Sequence, residues 1–146
     1  FCLSRGLGDV YKRQALVTAV MAVSALSFAF IGEELAVREF LLLHGAYTVL
    51  QLEIACICFG ISAFIRRSGV GAGLGLAALL YFLNLFKNIS SQAEFLKYIT
   101  PFAYAEAADI ISESAVDMHL LALGLLYAAI GIGTAFLKYT RKDIAA

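Results

Sequence analysis

An all-α integral membrane protein is what this sequence predicts: four transmembrane helices plus a short extracytoplasmic amphipathic helical hairpin. Three observations carry the prediction. First, 62% of the 146 residues are hydrophobic and the mean hydropathy is +0.86, well above the roughly 45–50% apolar content of soluble domains. Second, four apolar runs each reach the roughly 17–25 residues that cross a bilayer core. Third, all of the 11 basic and 11 acidic residues except Glu53 gather between and beyond those runs.

Taken in order, residues 1–14, FCLSRGLGDVYKRQ, lack the apolar rhythm that follows. GLGDVYKRQ resembles a translated sequencing adapter, so this stretch is expected to be a non-native scar and the natural chain to continue upstream of Ala15. Lys12 and Arg13 then carry no information on topology. A signal peptide is disfavoured, because the apolar run from Ala15 is too long and no A-x-A site precedes Gly32-Glu33-Glu34.

Ala15 to Ile31 is the first span, 17 residues without a charge. After a polar connection the second run extends to Ile65, interrupted by His44, Gln51 and Glu53. Arg66-Arg67-Ser68-Gly69 makes a basic turn, and Val70 to Phe86 is the third span, with Asn84 near its end. The insert Lys87 to Asp117 follows. In it Ser91 and Glu94 fit a capping box, and Thr100 before Pro101 predicts a helix start, proline needing no N–H partner in the first turn. A helix begun at Pro101 places Glu106, Asp109 and Glu113 on one face and Phe102, Ala105, Ala108 and Ile111 on another. Met118 to Leu137 is the last span, followed by Lys138, Arg141 and Lys142.

Alternating spans put Arg66, Arg67, Lys138, Arg141 and Lys142 on one side, against Arg38, Lys87 and Lys97 in longer segments on the other. Short basic segments stay cytoplasmic, so the C-terminus is expected inside and the long insert outside.

Several function classes lose support. A formal net charge of zero lacks the basic excess of a nucleic-acid partner. No G-x-x-x-x-G-K-[ST] loop is present, so the chain itself holds no P-loop nucleotide. Cys2, Cys56 and Cys58 form no C-x-x-C pair, His44 and His119 have no second histidine at ligand spacing, and no catalytic constellation is recognisable. An enzyme reading has no positive feature, and neither a metal nor a cofactor is expected in the chain.

Glu53 is the sharpest single residue, since an ionised carboxylate in a membrane helix costs about 2.5–3.5 kcal/mol on insertion scales. It reads either as part of a polar path with Gln51 and Asn84, or as a neutral carboxyl hydrogen-bonded between helices. Gly71 and Gly75, and the stripe Gly124, Ala128, Gly131 and Ala135, read as helix packing sites; the other reading is that one stripe forms the contact between two halves of an assembly. Glu106, Asp109 and Glu113 read as a solvated face or an attractor for cations.

The segment LKYITPF-A-Y-A-EAADI (Leu96 to Ile110), an acidic residue after it, a last apolar span and the ending FLKYTRKDI (Phe136 to Ile144) resemble the C-terminal part of the permease subunit of bacterial type-2 ATP-binding-cassette (ABC) exporters. The resemblance covers roughly Ala15 to Ile144, leaving 145–146 as a tail. It implies the last four of six spans in the bacterial cytoplasmic (inner) membrane, embedded in lipid. It also implies a separate ATPase subunit that binds ATP and Mg on the cytoplasmic side, a second permease copy or homologue, and alternating access with the helices after Pro101 capping the path. The main ATPase contact of such permeases lies upstream, so Arg66 and Arg67 are at most a secondary contact, or a positive-inside anchor. The alternative is a small four-helix membrane scaffold, or a proton or ion pathway centred on Glu53.

Overall fold

The computed structural model of the protein describes residues 2–64, 70–89 and 91–143. Five α-helices follow one another: α1 (Cys2–Ile31), α2 (Val37–Ser62), α3 (Val70–Ile89), α4 (Ala107–Glu113) and α5 (Met118–Asp143). Two 3₁₀ segments, Ser91–Tyr98 and Ala103–Ala105, lie between α3 and α4. Four helices are long and apolar enough to cross a membrane, over Lys12–Ile31, Val37–Ser62, Gly71–Ile89 and Met118–Lys138. The protein is therefore an all-α, multi-pass membrane protein.

The first helix runs from Cys2 through the span at Ala15 to Ile31 without a break. No proline falls in this stretch, and each of its two glycines weakens a helix by only about 1 kcal/mol. The helix ends where Gly32 turns into the left-handed region (φ 77°) and the N–H groups of Gly32 and Glu33 both donate to the Phe28 carbonyl, at 3.0 and 3.3 Å. Glycine suits that position because it has no Cβ to clash. None of the span residues of α1 is buried.

Packing centres on α2 and α5, which run parallel in a fixed register. A Cβ placed on Gly124 would meet the Glu53 carboxyl, and one placed on Gly60 would meet Gly131. Both pairs are offset by 71 residues, and the two contacts are seven residues apart, about two turns or ~10 Å. Between and beyond them Ala128 and Ala135 are 5% and 0% exposed. Small residues here let the backbones approach, the means of helix association that remains when lipid is as apolar as the side chains.

Residues 91–105 fold back into the helix bundle. The Thr100 hydroxyl donates to the Leu80 carbonyl at 3.1 Å, and the Tyr127 hydroxyl donates to the Tyr98 carbonyl at 2.6 Å. Leu80 precedes the end of α3 by nine residues and Tyr127 follows the start of α5 by nine. At 1.5 Å per residue both place the turn about 14 Å down from the helix ends. Thr100, Ala103, Tyr104 and Ala105 are at most 5% exposed.

That insertion also moves the expected helix start. Thr100 spends its hydroxyl on α3 while accepting from Phe102 N at 3.3 Å, and the Phe102 ring sits edge-on to Tyr81, centroids 5.7 Å apart. Pro101 lies in a turn, and α4 begins only at Ala107. Because a turn and a 3₁₀ segment intervene, the predicted phase is lost: Ile110 is the buried residue at 1% exposure, while Ile111 is 56% exposed and Ala108 is exposed too. Glu94 accepts from Lys97 Nζ at 2.8 Å, and the Ser91 side chain of the expected capping box lies outside the described residues.

Ala46 and Leu50 of α2 form the core with Tyr104, Ala105 and Ile110, flanked by Leu42, Leu43, Val116, Leu120 and Leu121. The well-packed part of the molecule is thus the end capped by residues 91–117. There Ser114, left-handed at φ 48°, donates to Glu39 at 2.5 Å, and Asp117 caps α5 by accepting from His119 N and Leu120 N at 2.8 and 3.2 Å.

Candidate functional site

Glu53 is 0% exposed, and neither carboxyl oxygen has a hydrogen-bond partner among the described residues. The carboxyl lies flat on the backbone of α5: an added Cβ at Gly124 would stand 2.5 Å from Oε2 and 2.8 Å from Cδ and Oε1. Tyr104 faces it from the second 3₁₀ segment. Its hydroxyl is near enough to act on the carboxyl, yet stops short of hydrogen-bond geometry and is itself buried without a partner. Gly124 sits six residues into α5, so this polar cluster lies about 9 Å below the capped end.

The structure gives Gln51, Glu53 and Asn84 different neighbours, so they do not form one continuous lining. Gln51 is exposed and faces a crevice of ≈ 670 Å³ beside α1, together with Gln14, Thr18 and Thr48. Two residues on a helix point about 200° apart, which turns Glu53 the other way, onto α5. Asn84, 7% exposed, donates to Glu106 at 3.3 Å.

Glu106 is the hub of a second polar cluster. It also accepts from Lys87 Nζ at 3.3 Å and from Asn88 Nδ2 at 2.6 Å. Its extended backbone (φ −67°, ψ 117°) places it just before α4, so it leaves the stripe expected with Asp109 and Glu113, both of which are exposed. From the sequence Lys87 enters only as a charge outside the spans and Asn88 not at all, although Asn84, Lys87 and Asn88 recur at i, i+3 and i+4, a polar stripe on the end of an apolar helix. Tyr104 carried no such signal.

The first 3₁₀ segment has three distinct sides, because residues three apart eclipse one another in this helix type. Ala93 and Leu96 are partly buried on the segment that packs along α3. Phe95 and Tyr98 are 61% and 55% exposed. Glu94 and Lys97 form an ion pair whose side chains are 70% and 31% exposed. The hydrogen bond from Lys97, and then its charge, hold the Glu94 carboxyl below its ordinary range, and the same bond raises the Lys97 ammonium. Both are charged at neutral pH.

Below the turn at Pro101 lies an apolar cavity of ≈ 430 Å³ between α2, α3 and α5, bordered by Gly60, Leu80, Ile99, Pro101, Tyr127 and Gly131. Gly71 and Gly75 touch nothing, whereas Gly73 faces Cys58, with 3.3 Å from an added Cβ to its sulfur. The small-residue contact of α3 with α2 is therefore at Gly73. Gly124, Ala128, Gly131 and Ala135 face α2 of the same chain. Arg66, Arg67 and residues 144–146 lie outside the described residues. Among the described residues, no three His, Cys, Asp or Glu side chains converge to hold a metal. The chain matches no protein-family model, no curated protein sequence and no solved structure.

Proposed function

We propose that this chain is the C-terminal membrane part of an exporter permease driven by ATP, the ATP and Mg being held by a partner ATPase on the cytoplasmic side and a second permease copy or homologue completing the path. The observation that supports this reading best is the inserted segment. Irregular backbone at membrane depth is tolerated where it is buried in protein or lines water, and ionisable residues at that depth face an interior or an aqueous cavity. The exposed Glu94–Lys97 pair on a limb that descends about 14 Å thus calls for a wet surface within the membrane, as a path open to the outside provides. The resemblance over Leu96 to Ile110 points the same way. In this reading the C-terminus is cytoplasmic and the membrane is the bacterial inner membrane.

The test is to purify the full natural reading frame in mild detergent together with the ATPase encoded beside it. Co-purification with ATPase activity that depends on the membrane chain supports the exporter. A chain that assembles normally and captures no ATPase ends it. The second reading, a proton or ion pathway at Glu53, is favoured by the buried, unpartnered carboxyl; proton flux into vesicles carrying the chain alone, lost in Glu53→Gln, would select it.

A further inference from the structure

We propose that Glu53, Tyr104 and Gly124 form a proton-binding site that latches the inserted segment to α2 and α5. The latch rests on neither transport reading above, because it follows from the packing of one chain upon itself.

The surroundings of the carboxyl decide its chemistry. From α5 it meets the backbone of Gly124, and the titratable residues at that end, Asp117 and His119, are exposed. From the second 3₁₀ segment it meets Tyr104. On α4 the buried residue is Ile110, with Asp109 and Glu113 exposed. Helix α3 touches α2 through Gly73 and Cys58, and its Lys87 is engaged by Glu106. On α2 itself His44 bonds the Phe40 carbonyl, Glu39 bonds Ser114, and Cys56 lies one turn further along.

No cation among these groups reaches Glu53. A carboxylate has about four lone-pair positions to satisfy, and a tyrosine supplies a single donor. An ionised Glu53 would be a buried charge without a counter-charge, which is strongly destabilising. A neutral carboxyl needs far less. A small rotation of either side chain lets its O–H donate to the Tyr104 oxygen, or lets the Tyr104 O–H donate to its carbonyl oxygen, which pairs the tyrosine with one carboxyl oxygen and leaves only the other without a partner.

Release of the proton breaks the carboxyl O–H bond, and the proton passes to water that reaches the site as the segment lifts. The carboxylate left behind is solvated only while Tyr104 is withdrawn. Rebinding of a proton reverses both events, so proton occupancy and docking of residues 99–105 are linked, each favouring the other.

The experiment uses the full chain in lipid nanodiscs. Infrared titration follows neutral carboxyl groups, with Glu53→Gln and Tyr104→Phe as variants. Insertion is followed by reaction of Ala103→Cys with a membrane-impermeant maleimide, relative to the exposed control Ser112→Cys at the same pH. The proposal requires a neutral-carboxyl band at about pH 7 that is absent in Glu53→Gln and shifted in Tyr104→Phe. It also requires Ala103→Cys to be shielded at least about tenfold more at about pH 6 than at about pH 10, which bracket the range where buried carboxyls lose their proton, and to lose that difference in Glu53→Gln. A carboxyl band indifferent to both variants, or shielding independent of pH, overturns it. Should Glu53→Gln fail to assemble, the Tyr104→Phe spectrum decides the proton site, since only a neutral Glu53 facing Tyr104 would feel the lost hydroxyl, and the pH dependence of Ala103→Cys shielding decides the latch.

Discussion

Gly60 of α2 and Gly131 of α5 meet backbone against backbone: a Cβ on Gly60 would stand 2.6 Å from the Gly131 carbonyl oxygen, and one on Gly131 would stand 2.6 Å from the Cys56 carbonyl oxygen. Neither obstacle is a flexible side chain that could step aside. Gly131→Ala must therefore push the helices apart, at about 1–3 kcal/mol for overpacking. Gly71→Ala and Gly75→Ala, in open space, should cost nothing and stabilise by up to about 1 kcal/mol, alanine being the better helix former. Unfolding in mixed detergent micelles measures all three. Equal losses at Gly71 and Gly131 would contradict the register given above.

Glu106 joins α3 to α4 through Asn84, Lys87 and Asn88. Removing it as Glu106→Ala strands Lys87, whose side chain is 15% exposed, and should lower stability by about 1–3 kcal/mol. Restoring packing with Lys87→Met in the same chain should recover part of the loss. A double-mutant cycle is the readout, with a coupling of about 0.5–3 kcal/mol expected for groups in contact. Zero coupling would show the cluster to be incidental.

The turn at depth hangs on two hydroxyls, Thr100 to Leu80 and Tyr127 to Tyr98. Thr100→Val and Tyr127→Phe should each weaken it by about 1 kcal/mol. The amides of Ala103 to Ala105 should then exchange with solvent roughly fivefold faster, the factor such an energy implies. Faster exchange confined to α4, with these amides unchanged, would place the anchors elsewhere.

The sides of the first 3₁₀ segment should differ towards water and lipid. Glu94→Cys should react with an impermeant maleimide in nanodiscs about tenfold faster than Phe95→Cys, as expected when one side is wet and the other is covered by lipid. Comparable rates would remove the aqueous surface on which the exporter reading leans.

The four spans were legible in the sequence because length and hydropathy are sums over many residues, and no single contact alters them. The insertion of residues 91–105 was not. Thr100-Pro101 is a sound helix-start signal locally, and the Thr100 oxygen does accept from Phe102 N, but only a turn and a three-residue 3₁₀ segment follow before the chain extends at Glu106, and nothing in the sequence states that Thr100 also binds α3. One continuous helix from Pro101 puts Glu106 on a carboxylate face, and a single extended residue, Glu106 itself, removes it. Glu53 and Gly124 were both conspicuous, one as an intramembrane acid and the other in a small-residue stripe. Their pairing needed the register of α2 against α5, which only the folded chain supplies.

The placement of Glu53 also bears on how the protein is made. Its covering residues, Tyr104 and Gly124, come 51 and 71 positions later in the chain, so at about 5–20 residues per second a ribosome finishes them several seconds after α2 has emerged. During that interval α2 must hold in the bilayer on its own apolar residues, carrying an acid that no other helix yet shields. The last helix is thus the piece that completes the second. A nascent chain stopped before Gly124 would present an unshielded acid at membrane depth, a feature by which membrane quality control could distinguish an unfinished molecule from a finished one.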